Sequence, residues 1–232
     1  PIYCMDGEGA RAERQKILPE YKGNREHRDF DPIPEVKELC SFLPGLHVEE
    51  PGREGDDAIA YACKLCASKN VIVFTGDKDM MALMSDKIRI YSPNKARFIE
   101  QADIYESYHV LEPTKVYLMK ALTGDNSDNI KGIPRIPKKQ LEPILNSPEC
   151  VDVESFYRII AQKPPSMTET MWRRAIELRD QIERNYAVII PNVAGFSKRS
   201  VTRVFKSSGN KQGLLDLLLR YECHSVLGRV DG

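Results

Sequence analysis

The 232 residues carry 34 Lys and Arg against 34 Asp and Glu, with 41% apolar and 29% charged positions. That balance excludes a disordered acidic or basic tail protein and suits a globular chain of one domain with a subdomain, or two small ones. No apolar run approaches the ~18 residues of a membrane span, no signal peptide opens the chain, and six cysteines without a paired framework fit a reducing cytoplasm.

Taken in order, "PIYCMDG" reads as a strand ending in Asp6 and a glycine. "GARAERQKILPEYKGNREHRD" is polar, basic, and reads as helix and loop; "PIPEVKELCSFL" is an amphipathic helix and "HVEE" a short strand. "EGDDAIAYACKLCAS" is a helix opened by acids, as the helix dipole favours, with Ile59, Ala62, Cys63 and Cys66 on one face. Cys63 and Cys66 form a lone CxxC, better read as buried thiols than as a zinc site. "NVIVFTGDKD" is a continuous apolar run ending in Gly-Asp, the pattern of a strand buried on both faces of a parallel sheet. "IRIYSP" and "ARFIE" read as a strand pair.

From about Pro113 the periodicity turns helical in "PTKVYLMKALTG", "TETMWRRAIELRDQIERNY" and "KQGLLDLLLRY", with "AQKPPSM" as the clearest linker. The division is an α/β part over 1–112 and a mostly helical part over 113–232. Trp172, on an amphipathic helix, reads as core, and His27, His47, His109 and His224 receive no role.

The acids sit where such elements end. Asp6 closes the first strand; Glu54, Asp56 and Asp57 open a helix; Asp77 and Asp79 follow the strand 71–74. Ligands of open α/β sheets bind beyond the carboxyl ends of strands. Asp125 and Asp128 are three apart, so one helical turn would put both carboxylates on one face. Like carboxylates ~4 Å apart repel by about 4 kcal/mol at an effective dielectric near 20. Cations make such a cluster tolerable, and an oxygen donor set without His or Cys selects Mg²⁺ or Mn²⁺. Taken singly, "GDKD" and "EGDD" are ordinary helix caps; together with a basic segment they favour metal. That segment runs from Lys131 to Lys139 with four basic residues and no acid, and Lys198 to Lys211 carries five more. Lys138 and Lys139 oppose the dipole of the helix they start, which suggests that they face an anion.

"PEYKGNR", "EGDDAIA", "FTGDKDMMALM" and "ALTGDNSDNIKGIPRIPKK" come in the order and spacing of the 5′ nucleases. The chain resembles, over roughly residues 1–145, the phage 5′→3′ exonucleases and the 5′ nuclease domain of bacterial DNA polymerase I, and more distantly the flap endonucleases. The resemblance implies a mostly parallel, twisted, PIN-like sheet with a helix-three-turn-helix DNA-binding region. It implies two Mg²⁺ ions, Mn²⁺ substituting. Asp6, Glu54, Asp56 and Asp57 look like ligands of the catalytic metal, Asp77 and Asp79 like ligands shared by or near both, and Asp125 and Asp128 like the second group. Arg14, Tyr21 and Lys22 match the base of an arch that passes a single-stranded 5′ end, with Lys22 on the scissile phosphate and Tyr21 stacking on a base. Lys120 matches another basic active-site position. Lys131, Arg135, Lys138 and Lys139 fall on the hairpin that grips duplex backbone. Arg135 and Pro137 stand where the family hairpin has glycines, which disfavours a monovalent ion there.

The resemblance also implies a first strand with a further metal-binding Asp ahead of Pro1, central in the sheet, and the stretch between Arg25 and Glu54 is short for an arch. The implied function is structure-specific cleavage of DNA with a 5′ end or flap at a duplex junction, or of RNA primers, by a monomer. The helical close without a polymerase motif favours a free-standing replication enzyme of a phage or a bacterium. Two alternatives stay open: a PIN-type RNA nuclease, and a non-catalytic DNA-junction binder on the same fold.

Overall fold

The computed structural model describes residues 1–25, 33–204 and 211–221. Much of the arch-region sequence "REHRDFDPIP", including His27, and also Cys223 and His224, therefore lies outside the described residues.

The strands form two mixed sheets and a ribbon. In the first, β1 (Ile2–Cys4) pairs parallel with β2 (Gly45–Val48), which pairs antiparallel with β8 (Val201–Val204). In the second, β3 (Val71–Phe74) pairs parallel with β4 (Ile88–Ser92), which pairs antiparallel with β5 (Arg97–Phe98). The ribbon is β6 (Gly124–Asp125) against β7 (Ile130–Lys131). The single, mostly parallel sheet of the sequence reading is thus two three-stranded mixed sheets among the described residues. The outer strands are β1 and β8 in the first sheet and β3 and β5 in the second. Alternation along β3 buries Val73, whereas Ile72 and Phe74 are 62% and 70% exposed, so β3 is not covered on both faces as its apolar run predicted.

Ten α-helices are described. α1 (Ala12–Ile17), α2 (Ile33–Ser41) and α3 (Gly55–Leu65) belong to the first half. α4 (Gln101–Tyr108) follows the second sheet and was not legible from periodicity. α5 (Lys115–Thr123) is buried from Lys115 to Leu122, as a helix surrounded by others must be. α6 (Lys138–Leu145), α7 (Val153–Ile159), α8 (Glu169–Glu177), α9 (Arg179–Ile189) and α10 (Lys211–Arg220) complete the chain. The long helical pattern around Trp172 is two helices, α8 and α9, meeting at Leu178. Trp172 packs against the core and its Nε1–H donates to the Ile160 carbonyl at 2.8 Å.

The principal core joins Val73 and Ile90 of the second sheet to α5, α6, α7 and α9. Asn185 of α9 is fully buried and its amide donates to the carbonyls of Ala121 and Lys131, tying α9 to α5 and to the ribbon. Among the described residues no helix is long and apolar enough to cross a membrane. Cys4, Cys40, Cys63, Cys66 and Cys150 are free thiols, and Cys63 is buried in the core.

Candidate active site

The loop after β3 supplies the first acids. Asp77 caps the 3-10 turn Lys78–Leu83 by accepting from the Asp79 amide at 2.8 Å, which sets Asp79 one residue inside the turn. The end of α5 supplies the second pair. Gly124, at φ 81, breaks the helix into the ribbon, and Asp125 folds the turn by accepting from the Ser127 amide at 2.8 Å and its hydroxyl at 2.6 Å. Asp125 therefore ends β6 and Asp128 sits in the turn between β6 and β7, and the expected helical turn is not formed.

A third segment braces that turn. The Lys22 amide donates to the Asp128 carbonyl at 2.8 Å, Asn24 donates to the Asn126 carbonyl at 2.8 Å, and Asn129 to the Glu20 carbonyl at 2.7 Å. Lys22 holds φ 54, a left-handed conformation that a side chain adopts only when its surroundings enforce it.

Ligand atoms of Asp79, Asp125 and Asp128 lie within 4.8 Å of one another. They line an open cleft of about 530 Å³ together with Asp56 and Asp77. Lys22, Lys120 and Lys138 line it too, as do three residues the sequence did not single out: Arg25, Lys78 and Tyr108. Lys78, between two expected ligands, could have been inferred from its position; nothing in the sequence marked Tyr108.

The electrostatics are crowded. Lys120 pairs with Asp79 and, at 2.6 Å, with Asp125. Burial disfavours its ammonium, but the two carboxylates outweigh that and raise its pKa. Burial likewise works against the Asp125 carboxylate, and Lys120 and Ser127 overcome it, so its pKa is lowered. Asp79 is raised by burial despite Lys120. Asp56 is pushed up to about 7, by burial first and by Asp77 second. Three carboxylates within 4.8 Å and Asp56 beside them in the cleft form an oxygen-only donor set. That fits hard divalent cations.

Three expected ligands are placed differently. Glu54 is 3% exposed and accepts from Arg14, from the Tyr21 hydroxyl at 2.7 Å and from Lys22 at 2.6 Å. Asp57 accepts from Arg14 at 2.7 Å, the Asn192 amide at 2.7 Å and the Glu54 amide at 3.0 Å. Asp6 accepts from the Gly55 amide at 2.6 Å, at the start of α3. None of the three lines the cleft. Glu54 and Asp57 are engaged by cations, a hydroxyl and backbone amides, and Asp6 by one amide, so they hold Lys22, Arg14 and the start of α3 in place. Tyr21, expected to stack on a base, is 3% exposed and braces Glu54 from inside. Lys138 stands at the rim, its ammonium on the Ser107 carbonyl at 2.6 Å, while Lys131, Arg135 and Lys139 are exposed and away from the cleft. Arg135 takes φ 59, a left-handed region that glycine adopts freely and a side chain does not.

Residues 1–109 match the family model of the 5′-3′ exonuclease, N-terminal resolvase-like domain. Over this stretch, just under half of its length, the chain resembles a 5′-3′ exonuclease N-terminal domain. The thermostable DNA polymerase I of Thermus thermophilus is 30% identical over 196 residues, which is 83% of this chain and 22% of that protein. A 5′-3′ exonuclease of Bacillus subtilis is 28% identical over 159 residues, 65% of this chain and 53% of that protein. The chain thus spans about half or less of the length of these relatives. A solved structure of T5 5′-exonuclease with bound divalent zinc ions is similar at TM-score 0.68 and 26% identity, covering 81% of this chain and 73% of that one. Asp56, Asp77 and Asp79 come from the matched stretch, and Asp125 and Asp128 lie beyond it.

Proposed function

We propose that this chain is a divalent-metal-dependent 5′ nuclease that hydrolyses DNA phosphodiesters at a 5′ end or flap. The observation that carries the reading is the group of Asp79, Asp125 and Asp128, with ligand atoms within 4.8 Å, in an open cleft rimmed by lysine and arginine. Similarity to exonucleases and DNA polymerase I supports it. The ions are two Mg²⁺, with Mn²⁺ able to substitute, held by these three acids and by Asp56 and Asp77. When bound, such ions supply an activated water and positive charge at the departing oxygen.

The chain's own residues do the rest. Lys120 keeps Asp79 and Asp125 together between turnovers. Glu54 fixes the Lys22 ammonium, and the bent Lys22 backbone directs it at the scissile phosphate. Lys78, Lys138 and Arg25 receive the flanking phosphates. The exposed Lys131, Arg135 and Lys139 grip duplex backbone as part of a helix-hairpin-helix. Contacts of this kind carry no base sequence, so specificity is for structure, and RNA primers fall within the substrate class. The protein acts as a monomer in the cytoplasm of a bacterial or phage-infected cell, with residues 1–112 as the nuclease core and 113–232 as the helical part.

The test is incubation with a labelled 5′-flap duplex and with an unstructured RNA, in Mg²⁺ and in EDTA. Mg²⁺-dependent cuts near the junction are expected, with the RNA spared. Flap binding without cleavage in Mg²⁺ would leave a junction-binding protein, and cleavage of the RNA in preference would leave a PIN-type nuclease.

A further inference from the structure

Behind the carboxylate group lies a second, smaller cavity of about 20 Å³, room for one water molecule. Its polar walls include Arg14, Asp56, Asp79, Tyr117, Lys120 and Asp128. Four of these six have partners: Arg14 on Glu54 and Asp57, Lys120 on Asp79 and Asp125, and Asp128 on Arg25. Tyr117 does not. It stands on α5, it is 9% exposed, and its hydroxyl has no hydrogen-bond partner in the protein. A buried hydroxyl without a partner costs roughly 1–3 kcal/mol, and a phenylalanine would fill the same ring volume without that penalty. Burial, then Asp56 and Asp79, raise its pKa, so the hydroxyl remains a donor. Asp56 lines both the small cavity and the cleft.

We propose that the Tyr117 hydroxyl is a positioning group of the metal centre: through one water in the small cavity it donates to Asp56 and fixes how that carboxylate presents itself to a cation in the cleft. The inference rests on the metal reading above. A bridging water needs two to four polar partners, and this cavity offers them beside apolar walls that include Val188 and Ile189. Tyr117 touches no substrate. It acts through Asp56, in the way that groups outside the ligand shell orient metal ligands elsewhere.

The test is Mn²⁺ titration of the 232-residue chain, followed by the electron paramagnetic resonance of free Mn²⁺, for wild type, Tyr117→Phe and Tyr157→Phe. Tyr117→Phe should weaken Mn²⁺ binding about tenfold, with a metal-free melting temperature equal to or above wild type. Tyr157 also has a buried hydroxyl, but it is satisfied by the Ala175 carbonyl at 3.1 Å. Tyr157→Phe should lower the melting temperature and leave Mn²⁺ affinity unchanged. Wild-type Mn²⁺ affinity in Tyr117→Phe overturns the inference and leaves the metal reading standing; absence of saturable binding in wild type overturns the metal reading itself. Wild-type protein with ¹³Cζ-labelled tyrosine gives a readout that needs no variant. The Tyr117 resonance should shift when Mg²⁺ is added and the Tyr157 resonance should not; an unmoved Tyr117 resonance also overturns the inference.

Discussion

Lys120 is where the residue scale is most demanding. Its side chain is 7% exposed, and its ammonium is shared by two carboxylates that belong to the metal group. Removing it leaves Asp79 and Asp125 facing each other in a low-dielectric site. Lys120→Met should therefore cost about 2–3 kcal/mol in EDTA, measured by urea unfolding, and most of that loss should return in saturating Mg²⁺, because a cation takes over the same charges. Equal losses in both buffers would mean that no cation sits there. The acids of this site were legible one by one in the sequence, since strand ends and helix starts are readable. What was not legible was which acids were already engaged. Glu54 and Asp57 read as ligands in the sequence, and their partners Arg14, Lys22 and the Asn192 amide come from distant parts of the chain that no local pattern reveals.

At the scale of elements, two glycines set the second acidic pair. Gly124 and Gly132 face each other across the ribbon, and a Cβ on Gly132 would stand 2.2 Å from the Gly124 nitrogen. Gly132→Ala should destabilise the protein by about 3 kcal/mol or more and displace Asp125, measured as a lower urea midpoint together with weaker Mn²⁺ binding. α4 offers a second case. Asp103 accepts from Arg97 at 2.6 and 2.8 Å, from the Glu100 amide at 2.9 Å and from Lys95 at 2.6 Å. Arg97, then that amide, then Lys95 hold its carboxyl far below the ordinary range. A depressed folded pKa means that ionised Asp103 favours folding above its unfolded pKa, near 3.9, and that this contribution is lost as pH falls below it. Asp103→Asn should cost about 1–2 kcal/mol at pH 7, limited by the exposure of Arg97 and Lys95, and the cost should begin to shrink below about pH 4 yet stay measurable at pH 3, where the folded carboxyl is still ionised. Urea midpoints of both proteins at the two pH values decide it. α4 and β8 escaped the sequence reading because their determinants are tertiary: α4 is pinned by Asp103 to the β4–β5 hairpin, and β8 exists only against β2. The strands β1 to β5 and the helices α2, α3 and α5 were legible, because each carries its own periodicity or apolar run.

Over the whole molecule, zero net charge conceals a separation. Asp56, Asp77, Asp79, Asp125 and Asp128 line the floor and sides of one cleft, and Lys22, Lys78, Lys138 and Arg25 share it. The chain reaches this arrangement by bringing its two halves together. α9 receives Arg14 on the Val188 carbonyl at 2.8 Å, β8 pairs with β2, and α5 carries Lys120 from the helical half to the acids after β3. We propose that these carboxylates serve cleavage and the basic residues serve grip. Asp79→Ala on a labelled 5′-flap duplex separates the two most directly. Cleavage in Mg²⁺ should fall by a factor on the order of 10² or more, while flap affinity in EDTA stays within about twofold of wild type. Cleavage at the wild-type rate would contradict the account.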